Sequence, residues 1–286
     1  MSNPGQADNE KALALATVSN FHEYFSQPVP LTEGSRYTLP RALSVVSLPA
    51  ELGGLKIETF SEMYERVSQF LAKSYESGMK GFGHKLAAPE GEVWVSGQFA
   101  AVLVGWSAHM EGRGEFVHSI NLCTLHRLPN ESSTDANPWR IAGLVDMEHQ
   151  PPGTPVPQVE TGPVSEIIAP FETLLAHIKA GNWEAITPLL LPGAGATISK
   201  ESQIPDTLRW PDFVRRLQAE AESGPVAEKK LLNSEARRCG NLAFVWAPFV
   251  LEVDGREQAQ GVNVCSFKLE EGQWLISGLW ETSSTE

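Results

Sequence analysis

The chain has 286 residues, of which 42% are hydrophobic and 20% charged, with a formal net charge of −13. That apolar fraction excludes wholesale disorder, and the acidic balance argues against binding to nucleic acid or to an anionic membrane surface. Three scattered cysteines, Cys123, Cys239 and Cys265, form no disulfide framework and no zinc knuckle. No basic leader and no apolar run long enough for a membrane span is found, so a reducing, cytoplasmic setting is expected.

In chain order, an amphipathic helix is predicted over Asn9–Phe25, with Leu13, Ala16, Val18, Phe21, Tyr24 and Phe25 on or near one stripe. The stretch Val29–Leu55 is rich in Pro and Gly and resists placement. A second helix is predicted over Thr59–Ser77, with Thr59 and Ser61 as caps. Three or four strands follow, among them Phe99–Met110, Phe116–Leu125 and a closing strand Trp139–Asp146, with Glu111-Gly112 as a hairpin signal. Between 151 and 157 lie four prolines, which have no N–H to give a helix or ladder. The stretch 150–163 therefore reads as an extended linker.

Beyond it the plan repeats. A helix is predicted over Val164–Ala180, ended by Gly181-Asn182, then a short helix over Trp183–Leu191 and another over Trp210–Ser223. Strands joined at an Asp254-Gly255 turn complete the chain. The segment Gly97–Arg113 aligns with Gly240–Arg256 without a gap, Ile120–Leu125 with Val262–Phe267, and Trp139–Asp146 with Trp274–Glu281. Three blocks in one order mark an internal duplication. The division is thus 1–149, a linker at 150–163, and 164–286. Helices first and a meander of strands after them indicate an α+β class.

The opening helix, the Asp254-Gly255-Arg256 hairpin and the closing Gly272-Gln-Trp-Leu-Ile-Ser-Gly-Leu-Trp280 of the second half carry a family resemblance. Each half resembles the nuclear transport factor 2-like superfamily, which includes the SnoaL-like and ketosteroid-isomerase-like proteins. The resemblance covers 165–282 almost completely and 97–146 well. It implies two cone-shaped α+β barrels, each a curved antiparallel sheet around N-terminal helices with an apolar pocket inside. Since members of that superfamily often dimerise, it also implies an intrachain pseudo-dimer, with further homo-oligomerisation open. The superfamily holds isomerases, dehydratases, cyclases and non-catalytic binders, so fold alone does not give activity.

Six of the seven histidines precede residue 150, which favours the first half for acid–base chemistry. His118 shares a strand face with Ile120, Leu122 and Thr124, either lining the pocket or lying in a core or interface. Asp146 follows Leu144 at the end of the closing strand, either a general base of raised pKa or a solvated strand end. His109 sits near a hairpin turn, where exposure is the default. Tyr37 is the tyrosine freest to polarise a carbonyl, while Tyr64 and Tyr75 have core-like helical spacing. Glu148 and His149 are expected in the exposed approach to the linker. Asn121 and Cys123 recur as Asn263 and Cys265, which argues for a structural role. No phosphate loop or nucleophile elbow is found, and a metal site is at most a weak signal. The resemblance then implies a cofactor-free isomerase, cyclase or dehydratase. It would act on a small apolar carbonyl compound of polyketide type through His118, Asp146, Tyr37 and His109. The alternative is a non-catalytic small-ligand or partner-binding scaffold.

Overall fold

The computed structural model describes residues 4–27, 31, 34–50, 53–129, 137–162, 164–200, 204–224, 228–253 and 255–284. The chain divides into two units, Met1–Gln158 and Val159–Glu286.

Unit 1 opens with helix α1 (Pro4–Tyr24). Its apolar stripe Ala14, Val18, Phe21, continued by Phe25 just past the helix end, recurs at helical spacing and is buried. Strand β1 (Leu43–Ser47) lies in the stretch that resisted placement and pairs as a hairpin with β2 (Leu55–Thr59), which starts at the end of that stretch. Helix α2 (Phe60–Glu76) starts on a reciprocal capping box. The Thr59 hydroxyl accepts from the Glu62 N–H, and the Glu62 carboxylate accepts from the Thr59 N–H. Thr59→Ala removes this cap and is expected to cost about 1 kcal/mol of stability. An unchanged urea midpoint would show that the box contributes nothing.

Four long strands complete the unit: β3 (Gly83–Ser96), β4 (Phe99–Met110), β5 (Gly114–Arg127) and β6 (Trp139–Asp146). The sheet order is β2-β1-β6-β5-β4-β3, antiparallel except for the β1–β6 pair. Bulges bend it: the β3–β4 register shifts between Ala87 and Glu92, and the β4–β5 register shifts at Ala108/His109. Gly105 allows the first bend, because a Cβ there would lie 2.0 Å from the Ala88 carbonyl oxygen.

Unit 2 follows the same plan. Helix α3 (Val164–Ala180) leads to β7 (Leu190–Lys200), β8 (Asp206–Arg209), α4 (Trp210–Ser223), β9 (Glu228–Leu231) and β10 (Glu235–Cys239). The hairpin and closing strand are β11 (Leu242–Val253), β12 (Arg256–Glu270) and β13 (Gln273–Ser284). The sheet order is β10-β11-β12-β13-β7-β8, with β9 also pairing β11. The β13–β7 pair is parallel, as β6–β1 is in unit 1.

Both units are α+β, with a mixed sheet and N-terminal helices. Among the described residues neither sheet closes on itself, which matches the cone-shaped α+β fold that the resemblance implies. In unit 1, β2 and β3 are the two edges; β2 runs directly into α2, and α1 packs along β3. The short helix expected over Trp183–Leu191 is instead two 3-10 turns, Trp183–Ala185 and Thr187–Leu189, followed by β7. Pro188 lacks the N–H that an α-helix would need there. Of the Asp254-Gly255-Arg256 hairpin, Asp254 lies outside the described residues.

Candidate active site

Unit 1 contains a cavity of about 650 Å³ between the helices and the concave face of the sheet. Phe21, Phe25, Met63 and Val67 supply apolar wall from the helix side, and Trp106, Ala108 and Leu144 from the sheet. Such a volume suits one small organic ligand. Near its rim, Arg66 donates through Nε to Glu58 at 2.9 Å, so that guanidinium is already paired.

Asp146 anchors the polar side of the cavity. It ends β6, directly opposite Asn121 on β5, and is 2% exposed. Its Oδ1 accepts from Trp106 Nε1 at 3.2 Å and from Asn121 Nδ2, with Ser119 Oγ at 3.5 Å. Its Oδ2 lies 2.8 Å from His149 Nε2. A buried carboxylate needs such donors to offset its desolvation. The carboxylate in turn fixes the His149 ring, whose side chain is 8% exposed.

Two further imidazoles surround Trp106. His22, in the last turn of α1, stacks on the indole with centroids 5.7 Å apart, and His84 on β3 stacks on it at 4.6 Å. His149 meets the same indole edge-on at 5.1 Å. Burial drives the His22 pKa down to about 3, with Asn121 pulling weakly the other way. Burial also drives His84 well below the usual range, reinforced by the fields of His22, His149 and His109. Both rings are therefore neutral near pH 7. Among the described residues neither His22 nitrogen has a hydrogen-bond partner in good geometry, nor has His84 Nδ1 or Asn121 Oδ1. These atoms remain to bind something that enters the cavity.

The neutral histidines set the acid limit of stability. Their folded pKa values lie below the unfolded value of about 6.5, so the unfolded chain binds more protons as pH falls through that value. Stability is full above pH ~6.5 and falls below it by about 1 kcal/mol per pH unit per histidine, the His22 share continuing toward pH ~3. Urea unfolding at pH 7 and pH 5 should show His22→Gln losing less stability on acidification than the parent chain. An equal loss in both would contradict the burial argument.

Of the four residues singled out from sequence, Asp146 lies in the cavity. His118 does not: the cavity takes Phe116, Val117 and Asn121 from β5, and His118 is not among its lining residues. Its ring meets Glu115 Oε1 at 3.0 Å, and its backbone pairs with Gln150. His109 is likewise off the cavity side of β4 and contacts Ser107 Oγ at 2.7 Å through Nε2. Tyr37 lines a separate hollow of about 210 Å³ with Arg36 and Arg140. His149, expected in an exposed approach, is instead folded back onto Asp146. Asn121, read as structural, touches the same carboxylate.

His22 could have been found as a histidine on the buried α1 stripe, four residues after Val18, and His149 as the third residue after Asp146. Nothing local marks His84. Cys123 and Cys265 are buried, which pushes both thiols up and keeps them protonated, away from nucleophilic chemistry. Among the described residues no group of three or more His, Cys, Asp or Glu is placed to hold a metal ion. Among them, too, no helix is long and apolar enough to cross a membrane.

The chain matches no protein-family model and no curated protein sequence. In fold it is similar to solved structures of nuclear transport factor 2-like proteins. One, of unknown function from Pseudomonas putida KT2440, is 11% identical with a TM-score of 0.36, covering 41% of this chain and 84% of its own. Another, from Shewanella oneidensis MR-1, is also 11% identical with a TM-score of 0.34, covering 42% and 99%. The Chlamydomonas reinhardtii CaMKII hub homology domain is 19% identical with a TM-score of 0.34, covering 41% and 95%. Each match takes in a stretch shorter than either unit.

Proposed function

We propose that unit 1 is an acid–base enzyme that removes a proton next to the carbonyl of a small apolar compound, as an isomerase, cyclase or dehydratase of natural-product type does. The observation that carries this reading is the Asp146–His149 pair on the wall of a largely apolar cavity. With His149 Nε2–H donating to the carboxylate, Nδ1 keeps the lone pair and serves as the general base. Asp146 orients the ring and stabilises the imidazolium that forms. Trp106, Asn121 and Ser119 hold the Asp146 side chain in place.

The enolate oxygen needs donors that do not themselves ionise. Neutral His22 and His84 suit that role, because an imidazole N–H in a dry site stabilises developing charge. His149, having taken the proton, returns it at the carbon or oxygen that the substrate's geometry presents. Isomerisation, ring closure and loss of water share this first step and differ afterwards. No cofactor is called on for it.

The shared step gives the test. Apolar ketones and 1,3-dicarbonyl compounds are incubated with the protein in D₂O, and loss of the α-proton signal is followed by NMR. Exchange catalysed by the parent chain and lost in His149→Ala supports the reading. Saturable binding of these compounds with no exchange would instead favour a non-catalytic binding protein.

A further inference from the structure

The strand registers place four residues of unit 2 where unit 1 keeps its site. Asn121 faces Asp146 across β5 and β6, and Asn263 faces Glu281 across β12 and β13. Trp106 stands opposite Ser119, and Phe249 opposite Gly261. His84 pairs with Ala108, and Lys229 pairs with Leu251, the residue aligned with Ala108 in the repeat. Lys229, Phe249, Asn263 and Glu281 thus occupy the positions of His84, Trp106, Asn121 and Asp146.

Their chemistry is turned inward. Lys229 Nζ lies 4.4 Å from the Phe249 ring centroid, donates to Glu281 Oε2 and reaches Asn263 Oδ1 at 3.5 Å. The Lys229 side chain is 14% exposed and that of Glu281 20%. The lysine stem covers the aromatic ring while its ammonium neutralises the acid. The equivalent acid in unit 1 faces a cavity. Two more parts of the unit 1 arrangement are gone. Gly261 replaces Ser119, and a Cβ there would come within 2.8 Å of the Phe249 ring. Among the described residues Glu281 is paired with the Lys229 ammonium and with no imidazole.

We infer that unit 2 holds a closed counterpart of the unit 1 site, with the Lys229 side chain as its built-in occupant, so that each chain takes one apolar ligand and not two. The inference rests on the unit 1 cavity being the ligand site of the proposed function. Titration of the full chain with the neutral dye Nile red tests both. The parent chain is expected to bind one equivalent, lost in Ala108→Trp, which fills the unit 1 cavity. Lys229→Ala combined with Glu281→Gln, which removes both charges together, is expected to gain a second equivalent that survives in the Ala108→Trp background.

Two equivalents in the parent chain, or no gain in the double variant, would overturn the closed-site inference. A parent chain that binds none beside a double variant that binds one would uphold it and sink the unit 1 reading. A labelling experiment on the parent chain guards against misfolded variants. Acetic anhydride should modify Lys229 severalfold more slowly than its neighbour Lys230, whose side chain is 50% exposed. Equal rates would mean that Lys229 is not seated and would overturn the inference.

Discussion

Asp146→Asn is expected to lower kcat about 10²–10⁴-fold, the span over which a positioned general base contributes. The chain should remain folded with ligand affinity nearly unchanged. The carboxamide keeps the shape of the carboxylate and one oxygen for Trp106, Asn121 and Ser119. It presents an N–H where His149 Nε2 needs an acceptor. The imidazole then turns to the other tautomer, with its proton on Nδ1, and the basic nitrogen no longer serves the substrate. Steady-state kinetics of α-proton exchange measures the change. A KM rise with kcat intact would mean that Asp146 binds and does not act through His149. Asp146→Ala is the harsher change. It leaves the buried indole N–H and the Asn121 amide without their acceptor, at about 1–3 kcal/mol for each donor.

The largest expected effect on stability is that of Phe60→Ala. Phe60 opens α2, is fully buried, and meets Phe21 edge-on at 6.0 Å and Tyr64 at 6.4 Å. Truncating it empties the junction of α1, α2 and the sheet, and changes of this kind cost about 3–5 kcal/mol. Urea unfolding measures the loss. A cost below about 1 kcal/mol would show that the helices collapse into the space and that the cavity wall is softer than its packing suggests. Because Phe21 also lines the cavity, a relaxed Phe60→Ala protein should bind Nile red more weakly as well.

The duplication and the α+β order of each half were legible in the sequence because they rest on periodicity and on aligned turn residues, which are local. The alignment even predicts register: Asn121 and Asp146 correspond to Asn263 and Glu281, and both pairs face each other across adjacent strands. The site was half legible. Asp146 could be singled out because a carboxylate after an apolar strand is unusual. His118 could not be placed from alternation alone: it lies outside the cavity, whereas Phe116 and Val117, adjacent on β5, both line it. His149 was hidden because a residue beside a proline-rich stretch reads as exposed, whereas its N–H donates to the Ser47 carbonyl at 3.1 Å and its ring folds back onto Asp146. His22 and His84 lie 62 residues apart in sequence. Only the packing of α1 against the sheet brings them to one indole, and no local pattern encodes that distance.

The most direct test of the unit 1 site is a crystal structure of the chain with a bound apolar ketone that it exchanges. The ligand is expected in the unit 1 cavity, its carbonyl oxygen within hydrogen-bond reach of His22 or His84 and its α-carbon against His149 Nδ1. A ligand bound elsewhere, or lying in that cavity with its carbonyl turned away from all three histidines, would contradict it.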